Sequence, residues 1–355
     1  MAKAVSDQAI AGDDVRVNAH TIEKRLADIW RDERGDDEQD ENQAVTRAAL
    51  WNVVAHTWTS EQHAFATETL GRASASVPQR TIVVRADPNV DRHGGAGEMT
   101  SYISTNCHMI GGGRQVCSEE VSIVASGERV AHVPPLVASL LLPDMPVAVW
   151  WLGDLPNERP SYVDTLLDPA DRLIVDSSQF DSAEDFALVF RIADKTTTAP
   201  ADLNWARVEE WRSATAAMFD PPGMRERMRA IAKVRVISGG AAKIGPLSEA
   251  VLFVSWLTAQ LGYEVAFEFV SEGKGEGILS VELQFGDGST AVVRGDRERR
   301  VVVGNCGDEL ALDCVTRALG RGIDDLIVRL LKNPQADRVY VKTLGIAHDV
   351  ARRVA

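Results

Sequence analysis

The chain has 355 residues, 45% of them apolar and 25% charged, with a net charge of −14. Such a length suits two or three globular domains, and a diffuse acidic surface excludes nucleic acid and anionic membrane as main partners, since like charges repel. No apolar run approaches the ~20 residues of a bilayer span, and Met1–Asp14 lacks a signal-peptide core, so a cytoplasmic protein is expected.

Residues 1–20 are small and polar and are expected to be loosely ordered. Ile22, Leu26, Ile29 and Trp30 then recur at helical spacing, forming a stripe that must bury against the body of the protein or a partner. Asp32–Glu41 is acidic and reads as a solvated linker. Residues 48–57 predict a strand, Ser60 caps a helix running to about Ala73, and Thr81–Arg85 predicts a second strand. Strand, helix, strand implies parallel pairing through a right-handed crossover. Residues 100–106 and 115–125 look extended around Gly111–Gly113, which predicts a hairpin.

Pro134 and Pro135 open a short helix that Pro143 ends. Val147–Leu152 follows without a polar residue, the pattern of a strand buried on both faces, and Gly153 lies at its carboxyl end, where α/β sheets place binding loops. Trp150 and Trp151 are adjacent and must face opposite ways. They either lock two helix layers together or mark an interface. Leu173–Val175 predicts another strand, residues 182–193 a helix, and Trp205 to Met218 a second helix ended by Asp220–Gly223.

Beyond that boundary, Val234–Ile237 predicts a strand and Pro246–Leu261 a helix with Gly262 just past its end. Four segments with alternating patterning, around 265–269, 279–285, 291–294 and 301–303, predict an antiparallel meander. Helices are expected at 308–319 and 324–332. The fold class is therefore α/β: a three-layer domain with a mixed, mostly parallel sheet over 43–222, then an α+β domain with an antiparallel meander over 223–355. Residues 1–42 supply the N-terminal helix and acidic linker.

Motifs of catalysis are missing. There is no GxGxxG and no GxxxxGK[ST], and Gly111–Gly113 precedes a strand where a phosphate loop needs a helix. The histidines lack HExxH spacing, no GxSxG elbow occurs, and Glu119 and Glu120 point to opposite faces of one strand. No catalytic, cofactor-binding or metal-ligating residue is assigned. Arg294, Arg297, Arg299 and Arg300 flank a tight turn and are candidates for anion binding, against the alternative of a charged hairpin tip that guards a sheet edge. Cys107 and Cys117 lie near the base of the expected hairpin and could face each other across it; free buried thiols are the expected state, with a disulfide acting as a redox switch the alternative.

Several segments resemble a known family: Leu140–Gly153, Ala170–Ser178, Asp202–Arg207, and Trp211–Arg212 with Phe219–Asp220, supported by Pro78–Val83 and Cys117–Val121. Together they are similar to the glucose-6-phosphate dehydrogenase assembly proteins (OpcA), in order from about residue 44 to 345. The resemblance implies a non-catalytic allosteric activator that binds glucose-6-phosphate dehydrogenase and promotes its active oligomer in the oxidative pentose phosphate pathway. In cyanobacterial members, cysteines are linked to thioredoxin-dependent redox control. Candidate partner-binding residues are Trp150, Trp151 and Asp154 around the strand end, and Ile22, Leu26 and Trp30 on the N-terminal helix. The alternative is a sugar-phosphate- or nucleotide-binding α/β protein or enzyme, suggested by the arginine cluster and the glycine loops.

Overall fold

The computed structural model describes residues 10–11, 15–17, 21–35, 45–87, 97–110, 114–156, 161–221, 223–272, 274–296, 298–305, 314–317 and 321–354. The chain forms two compact units. Unit 1 takes residues 1–152, 158–174 and 327–334, and unit 2 takes 153–157, 175–326 and 335–355. This division differs from the boundary expected at 222. Asp220–Gly223 does end a helix, with Gly223 at φ +89°, but the chain turns there within unit 2.

In unit 1, β1 (Ile10–Ala11) and β2 (Val15–Val17) precede α1 (Ile22–Gly35), and β3 (Val45–Arg47) leads to β4 (Trp51–Thr57). Then come α2 (Ser60–Ser74), β5 (Gln79–Asp87), β6 (Met99–Ile110), β7 (Arg114–Ser126), α3 (Val133–Leu140), β8 (Val147–Trp151), α4 (Ser161–Leu167) and β9 (Arg172–Val175). The strand order is β1-β6-β7-β5-β4-β8-β9, with β2 also on β6 and β3 on β7. The pairs from β7 through β5, β4 and β8 to β9 are parallel, while β6 pairs antiparallel with β7, β1 and β2. The mixed, mostly parallel sheet is as expected, and the segment expected to be loose supplies two short edge strands.

Every residue of β4 and β8 is buried; β8 is apolar throughout, while β4 also buries Asn52, His56 and Thr57. Trp150 and Trp151 point to opposite faces and are 2% and 1% exposed. Phe65 of α2 packs against Trp150, with ring centroids 6.1 Å apart, and His56 against Trp151. The double tryptophan therefore serves the core of unit 1, not its surface. The helix stripe has the same fate: Ile22, Leu26 and Trp30 are buried, and Glu23 reaches Arg80 at 2.6 Å. Arg80 is itself buried and grips Glu119, whose other oxygen accepts from the Trp30 indole. These apolar side chains are covered in the folded chain, so they are not surface anchors for a partner. The linker beyond Gly35 lies outside the described residues.

Cys107 and Cys117 are direct cross-strand partners, Cα atoms 4.0 Å apart, and form a disulfide beneath Trp30. Free thiols were expected; the hairpin register brings the two sulfurs together. The expected hairpin turn, Gly111–Gly113, lies outside the described residues.

In unit 2, α5 (Ala183–Lys195), β10 (Ala199–Asp202), α6 (Leu203–Arg207), α7 (Glu209–Met218) and α8 (Met224–Met228) come first. They are followed by β11 (Ile231–Ser238), α9 (Ile244–Leu261), β12 (Ala266–Ser271), β13 (Ile278–Phe285), β14 (Thr290–Asp296), β15 (Val301–Asn305) and β16 (Cys314–Arg317). Helix α10 (Ile323–Lys332) has most of its residues in unit 1, and α11 (Arg338–Ala351), a helix not expected from the sequence, belongs to unit 2. The sheet order is β12-β11-β13-β14-β15-β16. The meander is real from β13 to β16, but β12 pairs parallel with β11, because α9 carries the chain across before β12 forms. A strand at 314–317 replaces part of the helix expected over 308–319, whose other residues up to 313 lie outside the described ones.

Helix α9 is apolar nearly all round, and by length and composition it would suit a membrane span, yet 67% of it is buried within the protein. That is the pattern of a core helix. It packs against α11, which in turn packs against α5. Lys342 fixes the first contact by donating to the Ala259 carbonyl at 2.5 Å.

Candidate functional site

Two places in the fold have the topology of a binding site, and their chemistry differs. The first is the carboxyl end of the sheet in unit 1. Strand β4 has β5 on one side and β8 on the other, so the strand order reverses between β4 and β8. Open α/β sheets bind ligands at this reversal, with phosphate on glycine-rich backbone at the first helix N-terminus.

Here the first strand-to-helix turn is Trp58-Thr59-Ser60, without glycine. Thr59, not Ser60, is the cap. Its hydroxyl accepts from the Gln62 N–H at 3.2 Å, and Gln62 Oε1 accepts from the Trp58 and Thr59 N–H groups. Glu61 adds a carboxylate to the first turn. The helix end is thus satisfied by its own side chains and made unattractive to an anion.

The crevice itself is filled. Pairing of His56 with Trp151 puts both rings on one face, where they stack 3.8 Å apart. Trp58 closes on the pair edge-on, at 4.7 Å from His56 and 5.8 Å from Trp151, and Tyr162 lies 6.2 Å from His56. Neither His56 ring nitrogen nor the Tyr162 hydroxyl has a hydrogen-bond partner. Burial lowers the His56 pKa to about 3 and raises that of Tyr162 to about 12. Both are neutral packing groups. Among the described residues no cluster of His, Cys, Asp and Glu has the makings of a metal site.

The second place lies in unit 2. Strand β11 ends in Ser238-Gly239-Gly240, and α9 begins four residues later. The strand and the helix are both expected from the sequence; the glycine link between them is not among those expectations. Strand, paired glycines and helix was the available signal. Both glycines are required. A Cβ on Gly239 would meet backbone atoms of Gly275, Glu276 and Lys274 at 2.5–2.7 Å, and Gly240 has φ +81°. Ser271 holds the loop by donating to the Gly240 carbonyl at 2.5 Å, and Gly239 donates to Gly277 at 2.9 Å. Glu249, on α9, accepts from the Ile278 N–H at 3.1 Å and ties the facing loop to the helix. In contrast to α2, α9 has no side-chain cap and no acidic residue in its first turn.

These loops wall a cleft of about 860 Å³. Its lining includes Arg207, Arg300 and Arg321 together with Glu210, Glu249 and Glu276. Arg207 binds both oxygens of Asp176, at 2.8 and 3.0 Å, and also donates to Asn204. Burial would raise the Asp176 carboxyl, but Arg207 and Ser178 outweigh it and hold it below the ordinary range. Next to it, burial and the Asp176 charge raise Asp202 to about 6. Asp202 caps α6, accepting from the N–H groups of Ser177 and Asn204 and from the Tyr340 hydroxyl. Arg321 faces Glu210 at 3.5 Å.

The candidates named from sequence are therefore separated. Arg300, in the left-handed region at φ +54°, lines the cleft. Arg299 pairs with Asp296 at 3.6 Å, and Arg294 is exposed on β14; neither lines it. Arg297 lies outside the described residues. Asp154 is exposed, in the loop after Gly153. The resemblance segments ending at Ser178 and at Arg207 meet beside the cleft through the Asp176–Arg207 pair, a convergence invisible in the linear chain.

Comparison with known proteins places the chain. Residues 71–191 match the glucose-6-phosphate dehydrogenase subunit N-terminal domain of the OpcA assembly family, and residues 198–344 match its C-terminal domain. An OpcA protein named for the OxPP cycle in Synechocystis sp. (strain ATCC 27184 / PCC 6803 / Kazusa) is 32% identical over 146 residues, 41% of this chain and 30% of that one. Its counterpart in Synechococcus elongatus is 30% identical over 149 residues, 42% and 32% of the two chains. The matched stretch thus spans about a third of those relatives' length. Among solved structures, a levoglucosan dehydrogenase complex with NADH is 11% identical with a TM-score of 0.44, covering 87% of this chain and 97% of that one. UDP-N-acetylglucosamine 3-dehydrogenase GnnA from Acidithiobacillus ferrooxidans is 10% identical with a TM-score of 0.43, covering 87% and 98%. Likeness at that level says nothing of activity. The two family matches span most of the chain, and it belongs to the glucose-6-phosphate dehydrogenase assembly protein family, OpcA.

Proposed function

We propose that this chain is a non-catalytic partner that binds glucose-6-phosphate dehydrogenase and promotes its active oligomer in the oxidative pentose phosphate pathway. The observation that carries this reading is the filled crevice of unit 1. At the reversal of a parallel sheet, where a cofactor would lie, His56, Trp58 and Trp151 pack on one another and the first helix turn caps itself. A fold without its binding turn serves function through its surface. Family membership supports glucose-6-phosphate dehydrogenase as the partner. A differential stabilisation of about 1–3 kcal/mol for one state of the dehydrogenase would change its activity several-fold or more.

Of the partner-binding candidates, Asp154 is the exposed one. Its carboxyl is raised by partial burial and by the nearby charges of Asp181 and Asp185, of which Asp181 is exposed beside it and Asp185 is buried. A basic patch on the dehydrogenase is the complementary partner. The test is steady-state kinetics and sedimentation of the dehydrogenase with and without the chain. A higher kcat/KM or a larger oligomer is expected, and Asp154→Lys should weaken the effect. Unchanged kinetics and unchanged oligomer overturn the proposal.

A further inference from the structure

We propose that the outward face of the unit 2 sheet docks on the same face of a second copy of this chain. Strands β11, β13, β14 and β15 alternate between two environments. Val234, Val236, Val281, Leu283, Val293 and Val302 share a fully buried face. Helix α7 packs on that side, where a Cβ on Gly304 would meet the Met218 sulfur at 2.7 Å. The positions between them remain open to solvent. A sheet face left to water carries mainly polar side chains there. Here Ile237, Val270, Val292, Val301 and Val303 stand on it.

Register sorts these residues into rows. Val270, Ile237, Ser280, Arg294 and Val303 lie side by side, and Glu268, Arg235, Glu282, Val292 and Asn305 form the next row. Among β12, β11, β13, β14 and β15, strand β13 is the middle one. Its outward residues Ser280, Glu282 and Gln284 are polar. Ile237 and Val270 form an apolar cluster on one side of it, and Val292, Val301 and Val303 form another on the other side. A patch divided in this way is its own complement. A twofold axis along β13 lays each cluster on the opposite cluster of the copy, an isologous contact. The charges fit the same operation. On this face Lys233, Arg235 and Arg294 balance Glu268, Glu282 and Asp296, while the whole chain carries −14. Two copies therefore meet here without the repulsion that the rest of the chain imposes. Lys233 pairs with Glu268 at 2.6 Å and Arg235 with Glu282 at 3.5 Å. Arg294 is exposed and forms no ion pair among the described residues. The twofold brings it over β11 of the copy, between Glu268 and Glu282, whose carboxylates have lone pairs to spare. A partner of one charge sign would be repelled by half of these groups. Strands about 4.8 Å apart and about 20 Å long give roughly 500 Å² per copy, so roughly 1,000 Å² for the pair, the size at which specific interfaces begin. The contact is a property of the chain alone and goes beyond the assembly role.

The test is sedimentation velocity on the full chain, without the dehydrogenase, over a concentration series reaching about 100 µM. A species of twice the chain's mass should grow with concentration. Ile237→Glu and Val303→Glu place an acid in each apolar cluster, and Arg294→Glu unbalances the charge. Each should weaken self-association about tenfold or more, with circular dichroism and the extent of secondary structure unchanged. Arg294 is exposed, so a folding defect confined to the two cluster variants leaves the test intact. A monomer at every concentration overturns the proposal. So does a dimer that all three variants leave at full strength, since it then forms through another surface. A monomeric chain whose effect on the dehydrogenase is lost in Arg294→Glu assigns this face to the dehydrogenase and overturns the proposal as well. The assembly role is read separately, from dehydrogenase kinetics with the unaltered chain, so failure of one reading is distinguishable from failure of the other.

Discussion

The first turn of α2 in unit 1 and the first turn of α9 in unit 2 both follow a buried strand, and they end differently. At α2, Thr59, Gln62 and Glu61 satisfy the helix end, and three aromatic rings occupy the space in front of it. At α9, glycines bring backbone to the edge of an open cleft and no side chain caps the helix. The contrast teaches that strand order alone marks where a ligand can bind, while the turn chemistry decides whether it does. A tryptophan at the turn makes the crevice core; a glycine pair leaves an open cleft.

Substitutions can break this comparison. The largest effect is expected for Trp151→Ala. Emptying a fully buried indole costs about 3–5 kcal/mol, read from urea unfolding. If the loss is below about 1 kcal/mol, the crevice is not core and the contrast fails.

The next effect is on pH dependence. His56 falls from an ordinary pKa of 6.5 to about 3 on folding. Between those values the unfolded chain binds the extra proton, so stability is lost as pH falls from about 6.5 toward 3. His56→Phe keeps the stack and removes the titration. It should recover about 1.5–2 kcal/mol of the stability lost between pH 6.5 and pH 5. His63, lowered to about 4 chiefly by burial, titrates in the same direction and leaves a residual slope.

Asp202 beside the cleft has the opposite sign. Its pKa rises from 3.8 to about 6, so the folded chain holds the proton more tightly and stability is lost as pH rises through that window. Asp202→Asn should remove about 1 kcal/mol of that loss between pH 5 and pH 7. Paired denaturation curves for the two variants at each pH separate the regions: one acid-sensitive, the other relieved by acid. If both slopes change in the same direction, the two environments are not distinct in the way described.

The linear chain determined the parallel core of unit 1. A short apolar run such as Val147–Leu152, bounded by Pro146 and Gly153, suits a strand covered on both faces. Helix ends marked by proline and glycine were legible for the same reason, since those residues restrict the backbone locally. The family segments were legible as well, because they are contiguous. Tertiary structure decided what depends on distant partners. It paired Cys107 with Cys117 by register, buried Ile22, Leu26 and Trp30 together with the Arg80–Glu119 ion pair, and moved β12 beside β11. It also gathered Arg207, Arg300 and Arg321 around one cleft from segments far apart in sequence. Local patterning records which face a residue prefers. Which charges meet across that face is set only when the loops close, and at the turns before α2 and α9 that closure separates a packed crevice from an open one.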